Sequence, residues 1–497
     1  MRDFTNTAED VLPLADCVSK AYLLHHRVCP IAINDEGALV VATAPDALLP
    51  EALDDLGIAY RRAVVADEKP RHEVERLIAR LTSGRHSEEM ALVSSIEDVN
   101  EGLVADVRDV ANSAPVTAYV NYLIGEALRA SASDIHLEAE LSGLVVRFRI
   151  DGMLGPAPAA PAGLEQAIVS RLKLMAELDI AERRRPQDGR IRVRMGDRHI
   201  DVRVSTIPTL HGESVVLRLL DHGGRPISLD ALGMPAVIQS QIEKLARLPH
   251  GMVLVTGPTG SGKTTTLYCA LRLRDAAAEK IITIEDPVEY QLRGIAQMPV
   301  HSQLGVTFAT ALRSILRQDP DVLMVGEMRD GETAALAIQA AMTGHLVFST
   351  LHTNDALGAI PRLIDLGVPP FLVAASVNAV MAQRLVRRIC PACKTADHEA
   401  SHHDGHGALP AHIRVHSVMR GRGCTECQGT GYQGRLGVFE LAVIDEPMRD
   451  AIARGATRRE VEALAREGGW RPFADDSWNK AANGDTTVDE VLRVAAA

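Results

Sequence analysis

The sequence contains few aromatic residues and no long apolar run. Phe, Tyr and Trp make up 3% of the 497 residues, so the hydrophobic cores must be built mainly from aliphatic side chains. The longest apolar run, residues 371–382, is interrupted by Ser376 and Asn378, and it is shorter than the ~20 residues that a membrane-spanning helix needs. The N-terminal residues lack the apolar centre of a signal peptide. These absences argue against a membrane-spanning or exported chain, and we expect a cytosolic protein.

Positive charge is also in deficit. Lys and Arg number 53 against 65 Asp and Glu, which gives a formal net charge of −12. General nucleic-acid binders depend on neutralising phosphates, so the chain is a poor candidate for one, although a local basic patch is compatible with this balance. The length predicts about three domains.

Residues 257–264 fit the pattern G-x-x-x-x-G-K-[ST] of a phosphate-binding loop. An apolar, β-branched stretch at residues 253–256 precedes it, and residues 263–273 have helical spacing. Glycines permit the tight turn that points successive N–H groups at a phosphate chain, and the helix N-terminus adds its positive end. The lysine would reach the β- and γ-phosphates, and the threonine would ligate Mg²⁺. We therefore predict a nucleoside triphosphate site made of Gly257, Pro258, Thr259, Gly260, Ser261, Gly262, Lys263 and Thr264.

Alternating strands and helices over residues 236–390 predict a RecA-like α/β domain. Several of its predicted strands end in acidic residues or a histidine, at the edge where open α/β sheets bind ligands. Glu327 is the candidate for polarising the attacking water, and we count it with Lys263 among the catalytic residues. Three carboxylates are candidates for contacts to Mg²⁺ through its water ligands: Glu285, Asp286 and Glu289. We also count Glu285 among the catalytic residues. Two histidines are candidates for sensing the γ-phosphate: His345 and His352.

Arginines crowd one face of a second predicted α/β unit at residues 114–222. Its predicted strands alternate between an apolar face and a polar face rich in arginine. That polar face is either a solvated charged surface or a phosphate-facing one, since the guanidinium fork suits phosphate. In the second case Arg203 and Arg218 would close over the γ-phosphate. Three further arginines flank the strand before Glu327 and would act across a subunit boundary: Arg313, Arg317 and Arg329.

Four of the seven cysteines form two C-x-x-C pairs. Two such pairs in a cytosolic chain give four thiolates at the spacing of a tetrahedral zinc site. Four protein ligands close the coordination sphere, so such a zinc would be structural rather than catalytic. Redox-active pairs or free thiols are the alternative. The candidate ligands are Cys390, Cys393, Cys424 and Cys427, and the histidine-rich residues 398–416 between them are expected to form a solvated loop.

These motifs, in this order, resemble those of the secretion ATPase superfamily. Its Walker A, Asp box, Walker B and His box are similar, in this order, to residues 257–264, 284–290, 312–321 together with 326–330, and 343–355. Its upstream domain is similar to residues 133–136, 149–152 and 188–190. The zinc module of its type II secretion and type IV pilus assembly branches is similar to the four cysteines and the following residues 429–435.

The resemblance implies a RecA-like P-loop ATPase with a zinc-binding insertion, preceded by two smaller α/β domains. It implies ATP, Mg²⁺ and Zn²⁺ as cofactors, a homohexamer peripheral to the inner membrane, and ATP-driven assembly of a pseudopilus for type II secretion. The implied partners are the cytoplasmic domain of an inner-membrane protein and an inner-membrane platform protein. The expected parts are a docking domain at 1–81, a linker at 82–113, a second domain at 114–222 and an ATPase domain at 236–497 with its zinc module at 388–438.

Three other functions compete with this interpretation. A type IV pilus assembly ATPase shares the same motifs. A DNA-translocating ATPase would show hydrolysis stimulated by nucleic acid, against which the net charge of −12 argues. A nucleotide-dependent scaffold would bind ATP without turnover.

Overall fold

The computed structural model describes residues 18, 20–34, 37–47, 51–78, 81, 97–98, 111–195, 198–221, 228–397 and 418–495. The chain forms two compact units. The first combines Met1–Gly224 with two segments that carry the C-x-x-C pairs, Cys390–Thr395 and Gly421–Gln433. The second contains the remainder. Residues 82–96 and 99–110 of the expected linker and the histidine-rich residues 398–416 lie outside the described residues, and the domain boundaries remain predictions.

The N-terminal part of the first unit is a small α/β layer. Strand β2 pairs antiparallel with β1 and parallel with β3. Its core is built around the fully buried side chains of Tyr22, Leu23, Leu39, Leu56 and Ile78. Residues 71–78 are also helical. The described elements are α1 (Lys20–His26), β1 (Val28–Ile33), β2 (Leu39–Thr43), α2 (Glu51–Tyr60) and β3 (Val64–Glu68).

The second part of the first unit is an antiparallel seven-stranded sheet with two helices. The predicted alternation is confirmed: Ile191 and Val193 are buried while the arginines between and beside them are exposed. The strand order is β4-β8-β9-β10-β5-β6-β7, so part of the expected linker contributes the edge strand β4. The elements are β4 (Glu97–Asp98), α3 (Ala114–Arg129), β5 (Asp134–Glu140), β6 (Gly143–Ile150), β7 (Met153–Pro156), α4 (Glu165–Met175), β8 (Gln187–Met195), β9 (Arg198–Thr209) and β10 (Gly212–Asp221).

The second unit is organised around another seven-stranded sheet, of order β13-β12-β14-β15-β11-β16-β19. The pairs from β13 through to β16 are parallel. A separate two-stranded sheet pairs β17 with β18. The strands are β11 (Gly251–Thr256), β12 (Ile281–Glu285), β13 (Ala296–Pro299), β14 (Val322–Val325), β15 (Leu346–Leu351), β16 (Val377–Ile389), β17 (Lys394–Ala396), β18 (Met419–Gly421) and β19 (Tyr432–Val443).

Buried aliphatic side chains on both faces hold this sheet between helices. Strands β11, β14 and β15 are buried along their whole length, as expected of parallel strands covered on both sides. The helices are α5 (Ala236–Leu245), α6 (Lys263–Leu271), α7 (Phe308–Ile315), α8 (Gly331–Met342), α9 (Ala359–Asp365), α10 (Pro370–Ser376), α11 (Glu446–Ala453), α12 (Arg458–Glu467), α13 (Phe473–Ala482) and α14 (Val488–Ala495). Within the described ranges, no helix combines the length and the apolar character needed to cross a membrane.

Candidate functional site

The phosphate loop joins β11 to α6 in the conformation that its sequence requires. Gly257, Gly260 and Gly262 all have positive φ angles, of 148°, 78° and 86°, which side chains other than glycine rarely adopt. A Cβ atom on Gly257 would lie 2.3 Å from the carbonyl oxygen of Gln383, and one on Gly262 would lie 2.8 Å from the Nε2 atom of Gln383. The glycines are therefore required both by backbone conformation and by close contact with β16.

Gln383 supports the loop from β16, and the sequence analysis did not identify it. Its side chain is 1% exposed, and its Oε1 atom accepts a hydrogen bond of 2.6 Å from the Thr266 hydroxyl on α6. Its Nε2 atom has no hydrogen-bond partner among the described residues. A glutamine directly after the apolar residues 379–382 was the sequence signal available for it.

The structure brings seven of the sequence-predicted residues to one cleft beside the loop. Lys263 donates hydrogen bonds to the carbonyl oxygens of Gly257 (2.8 Å) and Pro258 (3.0 Å). Burial lowers the pKa of Lys263, and the nearby Glu327 carboxylate opposes that shift. The cleft has a volume of about 140 Å³, and its lining includes Lys263, Thr264, Glu285, Asp286, Glu289, Glu327 and His352.

Two side chains of the same chain contact the Glu327 carboxylate: an arginine, and a histidine that is charged only when protonated. It follows β14, and its side chain is 13% exposed. The Nε atom of Arg329 lies 2.7 Å from Glu327 Oε2, and the Nε2 atom of His352 lies 3.4 Å from the same oxygen. The hydrogen bond to Glu327 raises the pKa of the Arg329 guanidinium. The carboxylate is therefore oriented from two sides while it remains in contact with the cleft.

Three other candidates lie away from this cleft. His345 precedes β15 and His352 follows it, so the six-residue strand separates them by ~20 Å. The Nδ1 atom of His345 lies 2.9 Å from the carbonyl oxygen of Ala340. On α7, Arg313 forms an ion pair with Glu332, and Arg317 donates a 2.9 Å hydrogen bond to the carbonyl oxygen of Arg313. Within one chain, only His352 of the two histidines contacts Glu327, and roles for Arg313 and Arg317 across a subunit boundary remain predictions.

Glu285 is enclosed by hydrogen-bond donors of the chain itself. Its exposure is 3%, and its Oε2 atom accepts from the Tyr268 hydroxyl. Its Oε1 atom accepts from Thr283 Oγ1 at 2.6 Å and from Gln297 Nε2 at 3.1 Å. Gln297 also donates to the carbonyl oxygen of Tyr290 at 3.1 Å. This carboxylate therefore joins α6 to the segment that follows β12, a role that residue type and spacing did not reveal.

The Tyr268–Glu285 contact gives a direct prediction. Tyr268→Phe removes one of three donors from a buried carboxylate, and we expect it to lower the free energy of unfolding by about 1–3 kcal/mol. Urea unfolding of the purified chain measures this loss. Tyr290→Phe is the matched control, because it retains the edge-to-face ring pair with Tyr268 and every donor to Glu285. Equal stability of the two variants would show that the Tyr268 hydroxyl does not support Glu285.

Arg203 and Arg218 lie in the first unit, directly opposite each other on β9 and β10. Arg190 on β8 lies opposite Arg203 on its other side. The three guanidinium groups therefore bring positive charge together on neighbouring strands. Arg218 is partly neutralised by a 2.9 Å hydrogen bond to Asp134, and its side chain remains 58% exposed. The predicted role of these arginines at the γ-phosphate is not tested by this geometry.

The four predicted cysteines form one cluster. Their Sγ atoms all lie within 4.8 Å of one another, with separations of 3.9 Å for Cys390–Cys424, 3.8 Å for Cys393–Cys427 and 3.7 Å for Cys424–Cys427. A tetrahedral zinc with Zn–S bonds of ~2.3 Å requires sulfur atoms roughly 3.8 Å apart, whereas a disulfide requires about 2.05 Å. The arrangement therefore fits a zinc ion held by four thiolates.

Backbone donors support the thiolate form within this cluster. The N–H groups of Cys424 and Gly431 each lie 3.2 Å from Cys427 Sγ. Burial raises the pKa of the Cys424 thiol to about 11, and a bound zinc would displace that proton, because a coordinating thiol is deprotonated. The cluster geometry favours the metal site over the redox-active pairs that the sequence left open.

A family model and two relatives match most of this chain. A family model described as "Type II/IV secretion system protein" matches residues 109–493. Type II secretion system protein HxcR of Pseudomonas aeruginosa is 46% identical over 449 residues, which are 90% of this chain and 87% of that protein. Type II secretion system protein E of Xanthomonas campestris pv. campestris is 42% identical over 506 residues, covering 99% of this chain and 87% of that protein.

Solved structures with a similar fold are molecular motors and ATPases. The pilus retraction motor PilT with bound ADP has a TM-score of 0.51 and 25% identity, over 75% of this chain and 95% of that one. The ATPase DotB of Legionella pneumophila has a TM-score of 0.59 over 81% of this chain and all of that one. Because DotB is only 20% identical to this chain, the match shows a similar fold and carries no conclusion about function. The expected α/β fold is confirmed.

Proposed function

The chain belongs to the family of type II/IV secretion system proteins, and from this we propose that it is the ATPase that powers pseudopilus assembly and protein export in a type II secretion system. The cleft carries the proposal, because it places the phosphate-loop Lys263 and Thr264 together with Glu327 and His352. Both relatives reported above are named as type II secretion proteins, which favours this branch over pilus assembly.

The chemistry proposed for the cleft assigns a part to each residue. The loop N–H groups and Lys263 bind the β- and γ-phosphates, and Thr264 is the side chain that would hold Mg²⁺. When bound, Mg²⁺ supplies charge neutralisation of the phosphate oxygens. Glu327 accepts a proton from the attacking water, directly or in relay, while His352 and Arg329 fix the position of its carboxylate.

Two further carboxylates have different parts in this scheme. Glu289 lines the cleft and is available for contacts to the hydrated metal. Glu285 has both oxygens engaged by Tyr268, Thr283 and Gln297, so we assign it the positioning of the segment that carries Glu289 rather than a metal contact. This assignment rests on hydrogen bonds within the chain.

The remaining parts of the proposal carry over the arginine roles expected from the sequence, together with the hexamer and the docking that the family resemblance implies. Arg203 and Arg218 would close over the γ-phosphate, and Arg313 and Arg317 would act between subunits of a hexamer. Arg329, which was expected to act across the same boundary, contacts Glu327 of its own chain instead. Residues 1–81 would dock to the cytoplasmic domain of an inner-membrane protein and so place the ATPase beneath the membrane. The row of opposed arginines on β8–β10 supports the first of these statements.

Export by the source organism tests the proposal. In a strain that lacks this gene, the wild-type chain should restore secretion of the system's substrates into the medium, and Lys263→Ala should not, because the phosphate-binding ammonium is lost. Lys244→Ala, on the exposed side of α5, is the matched control and should restore export. Full export with Lys263→Ala would overturn the proposed dependence on ATP.

A further inference from the structure

Glu440 is a buried carboxylate in the middle of an apolar strand. It lies on β19, where its neighbours Phe439 and Leu441 are also buried, and its own exposure is 2%. The pKa of Glu440 is raised to about 7, mainly by burial; the nearby Asp355 carboxylate contributes to this rise, and the N–H donors oppose it. Burial of a carboxylate is costly unless its oxygens are hydrogen-bonded, so the donors around Glu440 indicate what it holds in place.

Three donors from two distant parts of the chain converge on Glu440. Its Oε1 atom accepts from the N–H of Ala356 at 3.0 Å and from Trp470 Nε1 at 3.2 Å. Its Oε2 atom accepts from the N–H of Phe473 at 3.0 Å. Phe473 is the first residue of α13, where a backbone N–H has no partner within the helix. The carboxylate thus joins the loop after β15 to the start of α13.

The same loop is tied at its other end to the phosphate-loop strand. The N–H of Thr353 donates to Thr256 Oγ1 at 2.8 Å, and Thr256 is the last residue of β11, immediately before Gly257. Thr353 Oγ1 in turn donates to the carbonyl oxygen of Asp355 at 2.9 Å. The loop after β15 is therefore hydrogen-bonded to the end of β11 through Thr353 and to the Glu440 carboxylate through Ala356. It begins with His352, which lies beside Glu327.

An ion pair makes a second link between this loop and the C-terminal helices. Asp355 Oδ2 accepts from Arg458 Nη2 at 2.8 Å, and Arg458 is the first residue of α12. Asp355 Oδ1 accepts from the N–H of Gly358 at 2.7 Å. Arg384 on β16 donates to the carbonyl oxygen of Asn354 at 3.2 Å. Among the described residues, Asp355, Arg458 and Arg384 are charged groups that interact electrostatically with Glu440.

We propose that Glu440 is a positioning residue for ATP hydrolysis, which holds the loop at residues 352–356 against the C-terminal helices so that His352 stays beside Glu327. The inference rests on the proposed ATPase function and extends it. Because the carboxylate also holds the first N–H of α13, a shift of the loop when nucleotide binds would reach the C-terminal helices through Glu440.

Steady-state kinetics of the full chain test the positioning role. In Glu440→Gln the side chain keeps its size but has one acceptor oxygen, so at least one of the three N–H donors loses its partner. We expect kcat for ATP hydrolysis to fall by about tenfold or more, as misplacement of a catalytic group does, with KM for ATP changed by less than about twofold. Arg458→Ala breaks the second, more exposed link and should give a smaller loss of kcat in the same direction.

Asp476→Asn is the matched control. Asp476 is another buried carboxylate that holds the same strand, since it accepts from the N–H of Phe439 at 2.9 Å and pairs with Lys480. It makes no hydrogen bond to the loop at residues 352–356 among the contacts of the described residues. We expect this variant to lose stability but to keep kcat within about twofold of the wild-type value. Equal losses of kcat in Glu440→Gln and Asp476→Asn would reduce Glu440 to a structural role and overturn the proposal.

Amide hydrogen exchange provides a readout that does not need turnover. With ADP as the bound probe, the amides of residues 353–358 should exchange faster in Glu440→Gln than in wild type or Asp476→Asn, because the loop has lost its anchor. Unchanged exchange in Glu440→Gln would overturn the proposal. If the wild-type chain turned over no ATP, the proposed function would fail, and the exchange result alone would still decide whether Glu440 positions the loop.

Discussion

Replacing Glu327 with Gln is expected to lower kcat for ATP hydrolysis by about 10²–10⁴-fold, the usual contribution of a positioned acid or base. The amide that replaces the carboxylate has nearly the same shape but cannot accept a proton from water. The phosphate loop, where Lys263 is held by the carbonyl oxygens of Gly257 and Pro258, is left intact. ATP should therefore still bind, and the loss should appear in kcat rather than in nucleotide affinity.

Two measurements on the same preparations separate catalysis from binding. Phosphate release gives kcat, and equilibrium binding of a non-hydrolysable ATP analogue gives affinity. Glu467→Gln, at an exposed position at the end of α12, is the matched control and should behave as wild type. If Glu327→Gln turned over ATP at the wild-type rate, Glu327 would not be the group that activates water, and Glu289 in the same cleft would be the next candidate.

Loss of one cysteine ligand is the second change with a large expected effect. Cys424→Ser should abolish binding of about one zinc per chain, because a closed structural site needs its four ligands. Structural zinc supplies on the order of 10 kcal/mol of folding free energy in small zinc-binding peptides at neutral pH. Residues 390–395 and 421–433 should consequently unfold locally, and a chelator should have the same effect on the wild-type chain.

Metal analysis and limited proteolysis measure these outcomes. Protein purified without chelator should contain about one zinc per chain, and cleavage between residues 390 and 433 should become faster in Cys424→Ser. Cys29→Ala is the matched control, since Cys29 is buried outside the cluster and its loss should leave the zinc content unchanged. Wild-type protein without zinc would contradict the metal assignment and return the cysteines to the redox alternative.

The short-range motifs of this protein could be predicted from its sequence because their geometry is local. The phosphate loop depends on glycines at positions 257, 260 and 262 and on the helix that starts at Lys263, all within a few residues. The acidic and histidine residues that follow the strands were expected at one edge because open α/β sheets bind ligands beyond the carboxyl ends of their strands, and Glu289, Glu327 and His352 line one cleft. The cysteine spacing also anticipated the cluster of four sulfur atoms.

Sequence alone determined the strand-loop-helix at residues 251–271, the alternation of the β8–β9 strands and the spacing of the four clustered cysteines, because backbone conformation and side-chain period act over a few residues. Only the tertiary structure decided which polar groups meet across long separations. Strand direction separated His345 from His352, the packing of α6 on β12 and β13 enclosed Glu285, and β19 carried Glu440 to a loop 84 residues earlier in the chain. Such contacts depend on strand order in the sheet, which no local pattern of residues specifies.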